Sequence, residues 1–140
     1  MKTVLKRILA AVLILSAICL VGCRTVDKES LWNDAIYTTD TELGEGSKIA
    51  YVEIIVGENS VTFTIHTDEK YLADALKEHN LVEGEESDYG LYIKKLNGIT
   101  ADYDVDASYW SLTVNGEYSM NGASFTEICD GEHYEFTYTK

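Results

Sequence analysis

The chain has no proline, three cysteines, three histidines and only 11 lysines and arginines against 24 aspartates and glutamates. Each shortage excludes something. A formal charge of −13 repels nucleic acid and anionic lipid surfaces, so neither is expected as a partner of the folded part. There is no proline-rich stalk, internal repeat or low-complexity tract, and the chain is not built as an array. His66, His79 and His133 stand too far apart in the chain to give the paired ligand spacing of a zinc site. No nucleophile with its base and no carboxylate pair stands out, so no enzymatic activity is expected.

What is present begins at the first residues. Lys2, Lys6 and Arg7 precede an apolar run from Ile8 to Leu20, which Leu20-Val21-Gly22-Cys23 closes. The run is too short for a spanning helix and ends in small residues. It resembles a bacterial lipoprotein signal ending in a lipobox, which implies removal of residues 1–22 and lipidation of Cys23. The expected location is the cell envelope, anchored to the outer side of the membrane. Cys19 is discarded with the leader, and Lys2, Lys6 and Arg7 go with it, so the remainder is more acidic still. With Cys23 acylated, Cys129 has no intrachain partner; between Ile128 and Asp130-Gly131 it reads as a small buried core residue.

Residues 23–48 form a polar, lipid-anchored tether ending in Gly44-Glu45-Gly46-Ser47, but Leu31, Trp32, Ile36 and Tyr37 have no use in a pure spacer. Part of the segment is expected to pack on the domain of residues 49–140. There, Tyr51 to Val56 and Val61 to His66 alternate with period two around Gly57-Glu58-Asn59-Ser60, which predicts a hairpin. Leu72, Ala75, Leu76 and His79 then recur at helical spacing, with Asp68 as the expected N-cap and Asn80 as the stop. Glu83 to Ser87 reads as an acidic loop, and Gly90 to Leu96, Tyr109 to Val114 and Tyr134 to Thr139 as strands. Asn97-Gly98, Asn115-Gly116 and Asp130-Gly131 supply turns. One helix against a mixed sheet in this order is an α+β fold of the β-grasp type.

Asp102, Asp104 and Asp106 imitate the start of a calcium loop, but Ala107 stands where the loop needs glycine and Thr113 where it needs a bidentate glutamate. They are read as a solvated acidic loop. More distinctive are ten tyrosines and two tryptophans, with Tyr89, Tyr92, Tyr103, Tyr109, Trp110 and Tyr118 grouped around the central loops. Aromatic rings offer apolar area with a polar handle, which suits a flat ligand as well as a sheet. Alternation puts Trp110 on the core face with Leu112 and Val114, and turns Tyr109 the other way with Ser111 and Thr113.

Leu72 to Glu78, Ser87-Asp88-Tyr89-Gly90-Leu91-Tyr92-Ile93, Asn97-Gly98, Tyr109-Trp110, Val114-Asn115-Gly116-Glu117, Gly122-Ala123 and Asp130-Gly131 together resemble the transcobalamin-like C-terminal domain family, a soluble-ligand-binding β-grasp. In the family's vitamin carriers this domain closes over one side of cobalamin, and a helical domain supplies most of the remaining site. The resemblance implies a surface lipoprotein that binds a small molecule, a corrinoid such as cobalamin, as an accessory to uptake by a membrane transporter. Tyr92, Tyr109, Trp110 and Asn115 are the expected ligand residues, the rings giving contact area and the amide a hydrogen bond. No cofactor or metal is required. The alternative is an envelope module that binds a surface protein through a sheet edge, with no small-molecule ligand.

Two acyl chains contribute about 0.8 kcal/mol per buried methylene, enough for stable attachment. Cys23→Ala should therefore move the protein from the membrane to the soluble fraction. Membrane retention of the variant, with no lipid mass on the wild type, would contradict the lipobox.

Overall fold

The computed structural model describes residues 27–140, so the leader, the lipobox and Cys23 lie outside the described residues. The alternating segments form strands as expected. In β2 (Lys48–Val56), Ala50, Val52, Ile54 and Val56 are wholly buried, as are Val61, Phe63 and Ile65 in β3 (Asn59–Thr67). The hairpin register pairs Val52 with Phe63 and Ile54 with Val61, which puts both sets on one face. The last strand, β9 (His133–Thr139), runs parallel to β2 with Val52 opposite Tyr134 and Ile54 opposite Phe136. Strand β7 (Tyr109–Val114) joins β9 antiparallel, setting Leu112 beside Phe136. Two short strands finish the margins: β1 (Thr41–Gly44), parallel to β3, and β8 (Glu117–Tyr118), antiparallel to β7. The order β1-β3-β2-β9-β7-β8 is a mixed sheet with β2 and the last strand, β9, parallel at its centre.

One face of this sheet is covered by the helix Leu72–Glu78, which buries Leu72, Ala73, Ala75 and Leu76. Each leucine so buried contributes about 1.5–3 kcal/mol of hydrophobic free energy. The start of the helix departs from expectation. Its N-cap is Tyr71, which makes no side-chain capping bond. Asp68 instead accepts the Ser47 N–H at 2.9 Å and the Ser47 hydroxyl at 2.7 Å, and those bonds hold its carboxyl below the usual range. The first turn is held by backbone, with the Leu72 N–H donating to the Thr126 carbonyl at 2.9 Å and the Ile128 N–H to that of Lys70 at 2.8 Å. The stop is as expected: Asn80 takes φ 54°, and the Leu81 N–H reaches back to the Leu76 carbonyl at 3.0 Å, a left-handed helix ending.

The acidic stretch is a strand rather than a loop. β4 (Val82–Ser87) pairs with β5 (Gly90–Leu96), and β6 (Ile99–Thr100) completes a small second sheet. Cross-strand cations make the charge tolerable, with Glu85 2.9 Å from Lys94 and Glu83 3.6 Å from Lys95, while Glu86 meets Lys77 of the helix at 2.7 Å. A run of exposed glutamates also discourages the open edge from pairing with another chain. Cys129 departs from expectation too. It is exposed, because Ile128 is the residue turned inward, and its N–H donates to the Tyr134 hydroxyl at 3.0 Å.

Residues 27–40 pack on the domain through Leu31, Trp32, Ala35 and Tyr37 and are pinned there by a buried amide. Asn97 is fully buried; its Oδ1 accepts the Tyr37 N–H at 2.9 Å and its Nδ2 donates to the Tyr37 carbonyl at 2.8 Å. Tyr37 then packs edge-on against Phe63 with ring centroids 5.4 Å apart. No helix among the described residues is long and apolar enough to cross a membrane.

Removing the Asn97 side chain leaves both Tyr37 backbone groups unpaired, and Asn97→Ala should cost about 2–3 kcal/mol. Limited proteolysis should then cut the variant within residues 27–40 while the wild type stays intact; equal resistance would contradict the anchoring role. At Asn115-Gly116, φ is 49° and 84°, and a β-carbon on Gly116 would meet nothing within 4 Å. Gly116→Val should thus cost about 1 kcal/mol or more from backbone strain alone, visible as a melting point lower by several degrees.

Candidate functional site

Strand β8 pairs only with Thr113 and Val114, so the margin of β7 from Tyr109 to Leu112 has no strand neighbour among the described residues. The β5 hairpin leans towards this gap, held by a bond of 2.9 Å from the Leu91 N–H to the Ser124 hydroxyl. The loop after β8 closes one end, where the Ser119 N–H donates to the Leu112 carbonyl at 2.9 Å. The result is a cleft of about 250 Å³. Leu91, Trp110, Leu112 and Phe136 give it an apolar lining continuous with the core. Tyr92, Tyr109, Tyr118 and Met120 also border it, and all four are exposed, Met120 to 90%. Among the described residues none that lines the cleft carries a carboxylate, imidazole, thiol or cationic group.

Three of the four residues expected to bind ligand therefore meet here. Trp110 packs on both hydrophobic clusters and crosses Tyr138 edge to face at 5.9 Å, which agrees with its place on the core face. Its buried Nε1 has no hydrogen-bond partner among the described residues. Asn115 is not in the cleft. It sits in the β7–β8 turn, where its side chain accepts the His133 N–H at 3.0 Å and donates to Glu132 at 3.2 Å. The amide holds a turn and does not line the cleft. Met120 and the apolar residue Leu91 were not singled out by sequence; their role appears only when β5 is folded across the gap in β7.

The acidic groups elsewhere are mostly explained by local structure. Asp102 accepts the Asp104 N–H at the start of a one-turn helix and Asp106 bonds Ser108, which lowers the Asp106 pKa. On the sheet face opposite the helix, His133 has the carboxylate partners that chain spacing did not reveal. Its Nε2 lies 3.0 Å from Glu53 and 3.3 Å from Glu135. Burial holds the neighbouring Tyr134 phenol protonated well above its ordinary range.

Residues 69–140 match the family model described as a domain of unknown function, DUF4430. The chain belongs to the DUF4430 family. A crystal structure from Ruminococcus gnavus ATCC 29149, described as a candidate metal binding protein, is 36% identical, with 67% of this chain and 98% of that one covered at a TM-score of 0.63. Haptocorrin in complex with Cbi is 24% identical at a TM-score of 0.52. This chain covers 70% of its own length in that comparison but only 26% of haptocorrin, and the likeness is one of fold. No curated protein matches the chain.

Proposed function

We propose that this DUF4430 protein is a lipid-anchored envelope protein whose aromatic cleft captures a corrinoid, as an accessory to uptake. The observation that carries the reading is the cleft itself, an apolar surface opening from the core and bordered by three tyrosines at an unfilled sheet margin. Most ligand sites combine such a surface with a few polar groups. Tyrosine hydroxyls supply those groups here. The fold shared with the haptocorrin complex supports the choice of ligand class. The description of the R. gnavus relative does not transfer to the cleft, since no side chain lining it is a good ligand for a metal ion.

Size sets the mode of binding. At about 250 Å³, the cleft lies below the roughly 300–1,000 Å³ of sites that enclose a drug-sized molecule. A corrinoid is held by one edge or side group, with most of its surface left open. Such partial burial implies micromolar affinity, about −8 kcal/mol.

Calorimetric titration with cobinamide and cobalamin tests the reading. Binding of at least one is expected in the micromolar range, and Tyr92→Ala and Tyr109→Ala should weaken it while barely changing the melting temperature. Trp110→Ala should instead cost about 3–5 kcal/mol of folding. No heat and no spectral change with either ligand at high micromolar concentration would overturn the corrinoid reading.

A further inference from the structure

We propose that Glu53, His133 and Glu135 form a binding site for a divalent transition-metal ion on the open face of the main sheet, separate from the aromatic cleft. The three donors come from the two central strands. The parallel register sets Glu53 of β2 directly beside Glu135 of β9. His133 lies two residues before Glu135 and so projects to the same side. One donor atom from each residue can be chosen so that all three lie within 4.8 Å of one another. The imidazole Nε2 is 3.0 Å from one glutamate oxygen and 3.3 Å from the other. Zinc bonds of about 2.0–2.2 Å to nitrogen and carboxylate oxygen place neighbouring ligands about 3.0–3.5 Å apart, which the two imidazole–carboxylate distances match.

The backbone under the site is rigid. Val52 and Ile54 on β2 and Tyr134 and Phe136 on β9 are buried to 1% exposure or less, and they lock the strands that carry the donors. An outer contact orients one ligand further. The Thr113 hydroxyl donates to Glu135 at 3.2 Å, and the Asn115 Oδ1 accepts the backbone N–H of His133, which fixes the start of the strand that carries the imidazole. A hydroxyl bonded to a ligating carboxylate, as Thr113 is to Glu135, fixes ligand direction in metal sites.

Charge points the same way. Among the described residues neither Glu53 nor Glu135 pairs with a lysine or arginine; each is paired only with His133. Even a protonated imidazole leaves one negative charge uncompensated at this point of the sheet. A dication replacing the imidazole proton removes that excess and takes Nε2 as a ligand. All three residues are only partly buried, so the coordination positions left over face solvent and take water or an exchangeable group. Imidazole in the donor set favours zinc and its neighbours in the transition series over magnesium or calcium.

The test is calorimetric titration of the full chain, solubilised in detergent and stripped with chelator, with zinc, and separately with magnesium and calcium. One zinc site of micromolar affinity is expected, with the alkaline-earth ions at least tenfold weaker. Glu53→Gln, Glu135→Gln and His133→Ala should each reduce zinc affinity about tenfold or more, since each removes a ligand. The two glutamine variants keep the side-chain shape if His133→Ala disturbs folding. His66→Ala, at the other histidine–carboxylate pair of this face, where Nε2 is 2.6 Å from Glu42, and Cys129→Ser should leave the affinity unchanged. Cobalt substitution should give visible absorption that the Glu53→Gln variant loses. No zinc binding at millimolar concentration, or equal binding by the wild type and both glutamine variants, would overturn the site and show His133 to be a simple ion-pair partner.

Discussion

The parallel pairing of β2 with β9 is the constraint on which the rest of the molecule depends. It joins the start of the domain to its end, since Tyr51 and His133 are partners in the register. The hairpin β2–β3 on one side and the pair β9–β7 on the other are each local antiparallel units. Only the central pairing makes them one sheet with a continuous apolar face. Because side chains alternate with period two, a slip of one residue would turn Tyr134 and Phe136 to solvent and Glu135 into the core. Register is therefore specified by burial of both phenolic and phenyl rings against Val52 and Ile54.

The same register divides the two faces by chemistry. On the covered face the apolar residues meet the helix, and where the second sheet fails to reach β7 that apolar surface emerges as the aromatic cleft. On the open face Glu53, His133 and Glu135 converge, with Thr62 and Thr113 at the corresponding positions of the flanking strands. Among the described residues the cleft has no carboxylate, imidazole or thiol. The aromatic cleft and the carboxylate–imidazole cluster thus lie on opposite sides of one sheet.

Local pattern made much of this legible from sequence. The hairpin, the helical stripe of Leu72, Ala75 and Leu76, and the Asn-Gly turns are short-range features whose physics lies within a few residues. The family resemblance added the fold, and three of the residues it pointed to, Tyr92, Tyr109 and Trp110, border one cleft. What escaped was set at long range. The glutamates of β4 read as a loop because their lysine partners lie on β5 and on the helix. The turn role of Asn115 escaped because its partners Glu132 and His133 lie 17 and 18 residues away, at the start of β9. Glu53 and His133 are 80 residues apart, and no spacing rule joins them without knowledge of the parallel pair. Cys129 was misjudged from composition, since its exposure depends on which way Ile128 turns.

Amide hydrogen exchange followed by NMR tests the central pairing most directly. If β2 and β9 form the structural centre, the amides of Val52, Ile54, Tyr134 and Phe136 exchange only through global unfolding, with one free energy equal to that from denaturant titration. Exchange of the β9 amides through a smaller opening, while the β2–β3 hairpin stays protected, would show that the last strand is an attachment to the fold and contradict the account.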